Sequence, residues 1–298
     1  MSQNIFMSIL RNFLRKPAQL EQLVILNIVV FILLKLFYTG LFLFRMDTVS
    51  YENVIRNLAV PAQAAKLLHT PWTLITYMFI HESFMHILFN MLWLYWMGKI
   101  FSEHLGSGRV LGVYLFGGIS GAVLYITAYN IFPAFRDVIP YSYTIGASAG
   151  ILAIVVATAT LLPNFRINLL FIGPVALKYF AGFTLLLDLL SIGEGNAGGH
   201  IAHLGGALFG YIYIIFFRRG TDITGWFGSF LARINIFHPS SGYMKIVHRK
   251  NETDEEYLGR KKSREETIDA ILDKISQSGY DSLTRKEKEI LFKASRED

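Results

Sequence analysis

Four side chains carry chemical potential in a chain that is otherwise largely apolar: Ser148, His203, His86 and Asn90. Ser148 lies in TIGASAGILAI, residues 144–154, where Gly146, Ala147, Ala149 and Gly150 leave its hydroxyl open to close approach. An apolar helix beginning there would leave the Ser148 N–H at its N-terminus, where developing negative charge is stabilised. A serine at its free pKa is a weak nucleophile and needs a base within hydrogen-bond reach. GGHIAHLGGALFG, residues 198–210, offers His200 and His203, and Gly206 and Gly210 after His203 allow a second backbone to come close. Asp188 is the only acid within a span that would suit a third member. Nothing in the sequence sets it against His203, so the expectation is a Ser148–His203 dyad.

HESFMHILFN, residues 81–90, invites a metal reading that its spacing defeats. H-E-x-x-H brings two histidines within about 40° on a helix, whereas His81 and His86 would diverge by about 140° on one regular helix. No metal and no other cofactor is therefore expected. His86 and Asn90, four apart, share a helical face and present two hydrogen-bond donors among Ile87, Leu88, Phe89, Leu92 and Trp93. Taken alone, that pair serves equally well as an interhelical tie. The serine stretch has its own bland alternative, a tight helix crossing.

The elements that must hold these residues are membrane spans. The 298 residues are 53% hydrophobic, 14% aromatic and only 17% charged, with a mean hydropathy of +0.40. Charges crowd the first 20 positions and the last 80, as in a polytopic membrane protein with polar ends. The net charge of +6 then belongs to cytoplasmic flanks, and no basic stripe with interleaved aromatics suggests nucleic acid. The absence of cysteine excludes disulfides and thiolate chemistry. Six apolar segments are expected to span: about Leu23 to Phe44, Leu74 to Phe101, Val110 to Ile131, Tyr143 to Leu162, Val175 to Leu190 and Gly199 to Phe217. The first has no cleavage-site pattern behind it, so no signal peptide is expected.

Arg11, Arg15, Lys16, Lys99, Arg109, Arg166, Arg218 and Arg219 fall on one side of these spans. Arg45, Arg56, Lys66 and Arg136 fall on the other, mixed with Asp47, Glu52 and Asp137. The bias places both termini in the cytoplasm. The domain reading is a cytoplasmic segment at 1–21, a six-span domain at 22–217, a juxtamembrane segment at 218–247 and a cytoplasmic tail at 248–298. Trp226, Phe227, Phe230, Leu231 and Ile234 would form the apolar face of an interfacial helix. In the tail, Ser263 to Glu266 and Thr284 to Glu287 match capping boxes, and Ile268, Ile271, Leu272 and Ile275 form an apolar stripe ended by Gly279. A helix–turn–helix is expected there, either binding a cytoplasmic partner or packing beneath the membrane domain.

His86-Ile-Leu-Phe-Asn90, Gly146-Ala-Ser148 and Ala202-His203-Leu-Gly-Gly206-Ala-Leu-Phe-Gly210 together resemble the rhomboid family of intramembrane serine proteases. HLGSGRV, residues 104–110, resembles the family's short cytoplasmic loop. The likeness covers about residues 22–217. It implies an all-α polytopic membrane protein, a six-transmembrane-helix bundle with a small cytoplasmic helical C-terminal region. It further implies that Ser148 is the nucleophile and His203 the general base. His86, Asn90 and the Ser148 N–H would form an oxyanion hole, with Gly146 and Gly206 allowing close backbone approach and Gly210 helix packing. Transmembrane proteins in a lipid bilayer, the bacterial cytoplasmic (inner) membrane, become the implied substrates and setting. The chain departs from the family in three places: Ala149 follows the serine, Leu152 replaces an aromatic, and Trp72-Thr73 stands where Trp-Arg is frequent. A catalytically silent helix-binding adaptor would be expected to lack the serine or the histidine. A transporter would carry mid-membrane charges in several helices, whereas only Lys35 and Asp188 qualify here.

Overall fold

A computed structural model describes residues 19–170, 172–227, 267–279, 282–284 and 287–288. The described chain is mostly helical, and its contacts divide it into one unit ending at Ser241 and another beginning at Gly242. In the first unit, α1 covers Gln19–Leu43 and is followed by α2, Val49–Leu58, strand β1, Val60–Pro61, α3, Ala64–His69, and α4, Thr73–Thr76. Then come α5, Phe84–Leu105, α6, Val110–Ile131, strand β2, Tyr143–Thr144, and α7, Ser148–Leu161. A hairpin of β3, Arg166–Leu169, and β4, Gly173–Ala176, leads to α8, Leu177–Leu190, and α9, Ala197–Arg218.

Among the described residues, three helical stretches are long and apolar enough to cross a membrane: Gln19–Leu43, Ser107–Ile131 and Ala197–Arg218. At 14 residues each, α7 and α8 reach only about 21 Å, short of a ~30 Å hydrocarbon core. Residues 149–159 of α7 are nonetheless all buried, because a helix that is apolar all round belongs in the middle of a bundle. There α7 packs against α6 and α9, with α5 on another side.

Several sequence boundaries move. The second apolar segment is not one helix from Leu74: α4 and a 3₁₀ turn at Tyr77–Phe79 come first, and α5 begins at Phe84. Ser83 causes the restart, since its extended backbone and its hydroxyl, which accepts from the His86 N–H at 3.2 Å, cap the new helix. The fourth segment starts at Ser148, not Tyr143, because Tyr143 and Thr144 pair with Pro61 and Val60 and Gly146 adopts a φ of +121°. The fifth loses Val175 to the β3–β4 hairpin.

The connection between α1 and α5 is folded against the bundle. Asn130 Nδ2 donates to the Ala62 carbonyl at 2.8 Å, and the Ala62 N–H donates to the Ser142 carbonyl at 3.0 Å. Tyr77 Oη donates to the Gly118 carbonyl at 2.7 Å, and Tyr114 Oη to the Met78 carbonyl at 3.0 Å. Trp72 Nε1 donates to the Asn57 carbonyl, and Thr73 is fully buried.

After α9, Arg109 Nε donates to Asp222 Oδ2 at 2.7 Å, while Asp222 Oδ1 accepts from the Thr224 N–H and hydroxyl. Trp226 and Phe227 pack near Phe116. The expected interfacial face from Phe230 to Ile234 and the Ser263–Glu266 box lie outside the described residues. In the second unit, residues 267–278 are helical and Gly279 follows with a φ of +77°. Thr284 and Glu287 form the second capping box: Glu287 Oε2 accepts from the Thr284 N–H at 2.7 Å, and Thr284 Oγ1 accepts from the Glu287 N–H at 3.4 Å.

Candidate active site

Ser148 is the first residue of α7, so its N–H belongs to the helix's N-terminal set with no intrahelical partner. The chain reaches it through a fixed approach. β2 pairs with β1, then the Gly146 N–H donates to the Tyr77 carbonyl at 2.9 Å. The positive φ of Gly146 turns the chain into the helix, a conformation that favours glycine. Space adds a second requirement. A β-carbon on Gly146 would lie 3.0 Å from His86 Nε2 and 3.6 Å from Ser148 Oγ. The missing side chain thus leaves open the space beside His86 Nε2 and Ser148 Oγ.

His203 comes from α9. Gly206 and Gly210 let that helix ride on the α7 backbone, since a β-carbon at either would collide with the carbonyls of Ala149 and Ala153 respectively. The contact this close crossing produces is a 2.6 Å hydrogen bond between Ser148 Oγ and His203 Nε2. On the other side of the ring, His203 Nδ1 lies 2.8 Å from Asp188 Oδ1, and His200 Nδ1 lies 2.8 Å from the same oxygen. A carboxylate accepts, so both Nδ1 atoms donate, and His203 Nε2 is left to accept from the serine hydroxyl. His200 and His203, three apart on one helix, face the same way, which is how one acid meets both. Asp188 is buried near the C-terminal end of α8, and among the described residues its hydrogen-bond partners are these two imidazoles alone.

The ligand atoms of Asp188, His200 and His203 all lie within 4.8 Å of one another, which makes them the described residues able to hold a metal ion. Their 2.8 Å N···O separations are hydrogen-bond distances, whereas two ligands of a tetrahedral zinc at about 2.0–2.1 Å would stand roughly 3.3 Å apart. The cluster has the geometry of two N–H donors on one carboxylate.

His86, in the first turn of α5, faces the serine loop, and Asn90 is buried one turn further on. His81 does not share a helix with His86, as the metal argument supposed. It lies before the Ser83 cap, buried, with its ring edge-on to that of His86 at 5.0 Å between centroids. A cavity of about 750 Å³ opens beside His86 and is lined also by Lys35, Tyr51, Glu52, Glu82 and Asn196. Lys35 Nζ reaches the Glu82 carbonyl at 2.9 Å, so the cation in the first span is used at the cavity wall.

A rhomboid domain family matches residues 68–220, just over half of the chain. The chain belongs to the rhomboid family. Residues 251–297 also match a family of unknown function, DUF6576. The chain is 31% identical over 157 residues to RHOMBOID-like protein 12, mitochondrial, of Arabidopsis thaliana, covering 50% of this chain and 47% of that one. Identity to the Rhomboid protease GlpG of Pectobacterium atrosepticum is 31% over 101 residues, 28% of this chain and 36% of the relative. With the Presenilin-associated rhomboid-like protein, mitochondrial, of Mus musculus it is 33% over 159 residues, 51% and 39%. The chain therefore spans less than half the length of these relatives. Rhomboid membership makes it a membrane-integral protein, in keeping with its apolar helices.

What the sequence left open was Asp188. The available signal was the pair His200 and His203 on one helical face, combined with an acid in the preceding apolar segment.

Proposed function

We propose that this rhomboid is an intramembrane serine endopeptidase that cleaves transmembrane proteins near the outer face of the membrane. The observation that carries the reading is the 2.6 Å bond between Ser148 Oγ and His203 Nε2 at a helix N-terminus. In this reading α1, α5, α6, α7, α8 and α9 are the six spans, and the positive side chains in the loops hold both termini in the cytoplasm, in a bacterial inner membrane.

Ser148 Oγ attacks the scissile carbonyl carbon while its proton passes to His203 Nε2. The carbonyl oxygen becomes an oxyanion, which the Ser148 N–H and the side chains of His86 and Asn90 stabilise by hydrogen bonding. His203 then returns the proton to the leaving amine as the C–N bond breaks, leaving an ester on Ser148. Water, deprotonated by His203, attacks that ester and frees the carboxylate product and Ser148. The roughly 750 Å³ cavity beside His86 gives water and an unwound peptide a place to sit. Helical substrates with small or helix-breaking residues are favoured, because a scissile bond must leave its own helix before attack.

The direct test is labelling of the purified chain with a fluorophosphonate, which should modify Ser148 alone. Ser148→Ala should be unlabelled and should lower cleavage of a transmembrane substrate by on the order of 10⁶. Parental cleavage by that variant would sink the proposal, and a parental chain that binds transmembrane helices without labelling or cleavage would favour the adaptor.

A further inference from the structure

We propose that Asp188 is a positioning residue for His203, holding the imidazole in the tautomer that offers Nε2 to Ser148, and that His200 braces the same carboxylate from the other side. The inference rests on the protease reading above. A neutral imidazole carries one N–H, and the partner of one nitrogen decides the state of the other. With the proton on Nε2, His203 could only donate to Ser148 and could not act as its base. Asp188 Oδ1, an acceptor at 2.8 Å from Nδ1, draws that proton to the far side of the ring. Once Ser148 gives up its proton, the ring is an imidazolium with both nitrogens protonated, and the carboxylate faces that charge directly.

The placement of Asp188 has no other use among the described residues. Only Leu177, Ala181 and Asp188 are buried in α8, while Tyr179, Phe183, Leu186, Leu187, Leu189 and Leu190 are exposed. A lone acid on the inner side of an otherwise outward-facing apolar helix is costly in a membrane unless something requires it. His200 supplies the second N–H to Oδ1 at 2.8 Å, its ring standing nearly perpendicular to that of His203 at 84°. One oxygen fixed by two donors cannot swing away from either. The groups that bear on His203 electrostatically are Asp188 on α8, His200 on its own helix and His86 on α5, with Glu82 beyond His86.

The rate of Ser148 labelling by a fluorophosphonate, followed across pH on the full-length chain in detergent, tests this without a known substrate. Asp188→Asn keeps the shape and removes the charge. It should slow labelling by about 10²–10⁴. Its pH–rate profile should also change shape, because the imidazolium formed on attack no longer faces a counter-charge. His200→Gln keeps an N–H donor and should stay within a few-fold of the parent, whereas His200→Ala should slow labelling roughly tenfold. Parental rates for Asp188→Asn would overturn the proposal. So would a slowed rate with an unchanged pH–rate profile and a lowered thermal midpoint, the signature of a packing role. A parent that is not labelled at Ser148 fails the protease reading itself and takes the role of Asp188 with it. Should Asp188→Ala fail to fold, the isosteric Asn variant still decides the matter.

Discussion

Helices α7 and α8 are the same length, flank the same site and are held in opposite ways. Residues 149–159 of α7 are buried on every side, and its backbone is gripped by α9 at Gly206 and Gly210. α8 buries three residues and presents most of its large apolar side chains outward. Its lateral contacts include Phe180 stacked on Trp93 at 4.7 Å and the carboxylate shared by two imidazoles. Ser148 and His203 are therefore set by interlocked backbones, which leave little freedom. The acid is set by side-chain hydrogen bonds on a thinly anchored helix. A Ser–His contact can then survive perturbation of α8, whereas the Asp–His contact cannot.

The largest effect should come from breaking the interlocked side. Gly206→Leu drives a side chain into the Ala149 backbone, which can move only by dragging Ser148 with it. Overpacking of this kind costs about 1–3 kcal/mol or more. Thermal unfolding in detergent should show a much lower midpoint, and fluorophosphonate labelling should fall to background. A Gly206→Leu chain with parental midpoint and labelling would show that the α7–α9 contact is looser than described.

Next in size is the His86–Asn90 side of the same rigid half. Asn90→Ala should lower cleavage about 10²–10³-fold with an unchanged midpoint, since one donor to the developing charge is lost while the dyad stands. An unchanged rate would assign Asn90 to interhelical bonding, the alternative its spacing always allowed.

The smallest effect concerns the loop after α9, outside the spans. Burial opposes ionisation of Asp222, but hydrogen bonds from Arg109 and Thr224 outweigh it and hold the carboxyl below its ordinary 3.8. A carboxylate depressed on folding contributes stability that is complete above its unfolded value and is lost as pH falls through the folded one. The parental midpoint should thus be flat near neutrality and decline from about pH 4 downward. Asp222→Asn should start a few degrees lower and decline less over that interval. Parallel pH curves for the two chains would remove Asp222 from the stability of this end of the bundle.

Much of this molecule was legible because membrane burial leaves few polar residues to choose among. Val110 to Ile131 emerges with the ends expected for the third span, since uninterrupted apolar sequence has no competing conformation. The break before α5 was hidden because Ile80 and Phe84 continue the apolar run, and only the hydroxyl of Ser83 marks a restart. The late start of α7 was hidden for a related reason: Tyr143 and Thr144 are compatible with a helix until a distant Val60–Pro61 segment pairs with them. His81 was misplaced along with the start of α5.

The sequence alone determined which residues could do chemistry, because an ionisable or strongly polar side chain inside a lipid-facing bundle is too costly to be there by accident. It also determined the close helix crossing, since Gly206 and Gly210 have no side chain to hold helices apart. Tertiary structure decided the distances: that Ser148 and His203, 55 positions apart, meet at 2.6 Å, and that one buried oxygen of Asp188 takes both histidines. Those contacts depend on how three separate helices rotate and cross, and no local pattern within any one of them records that.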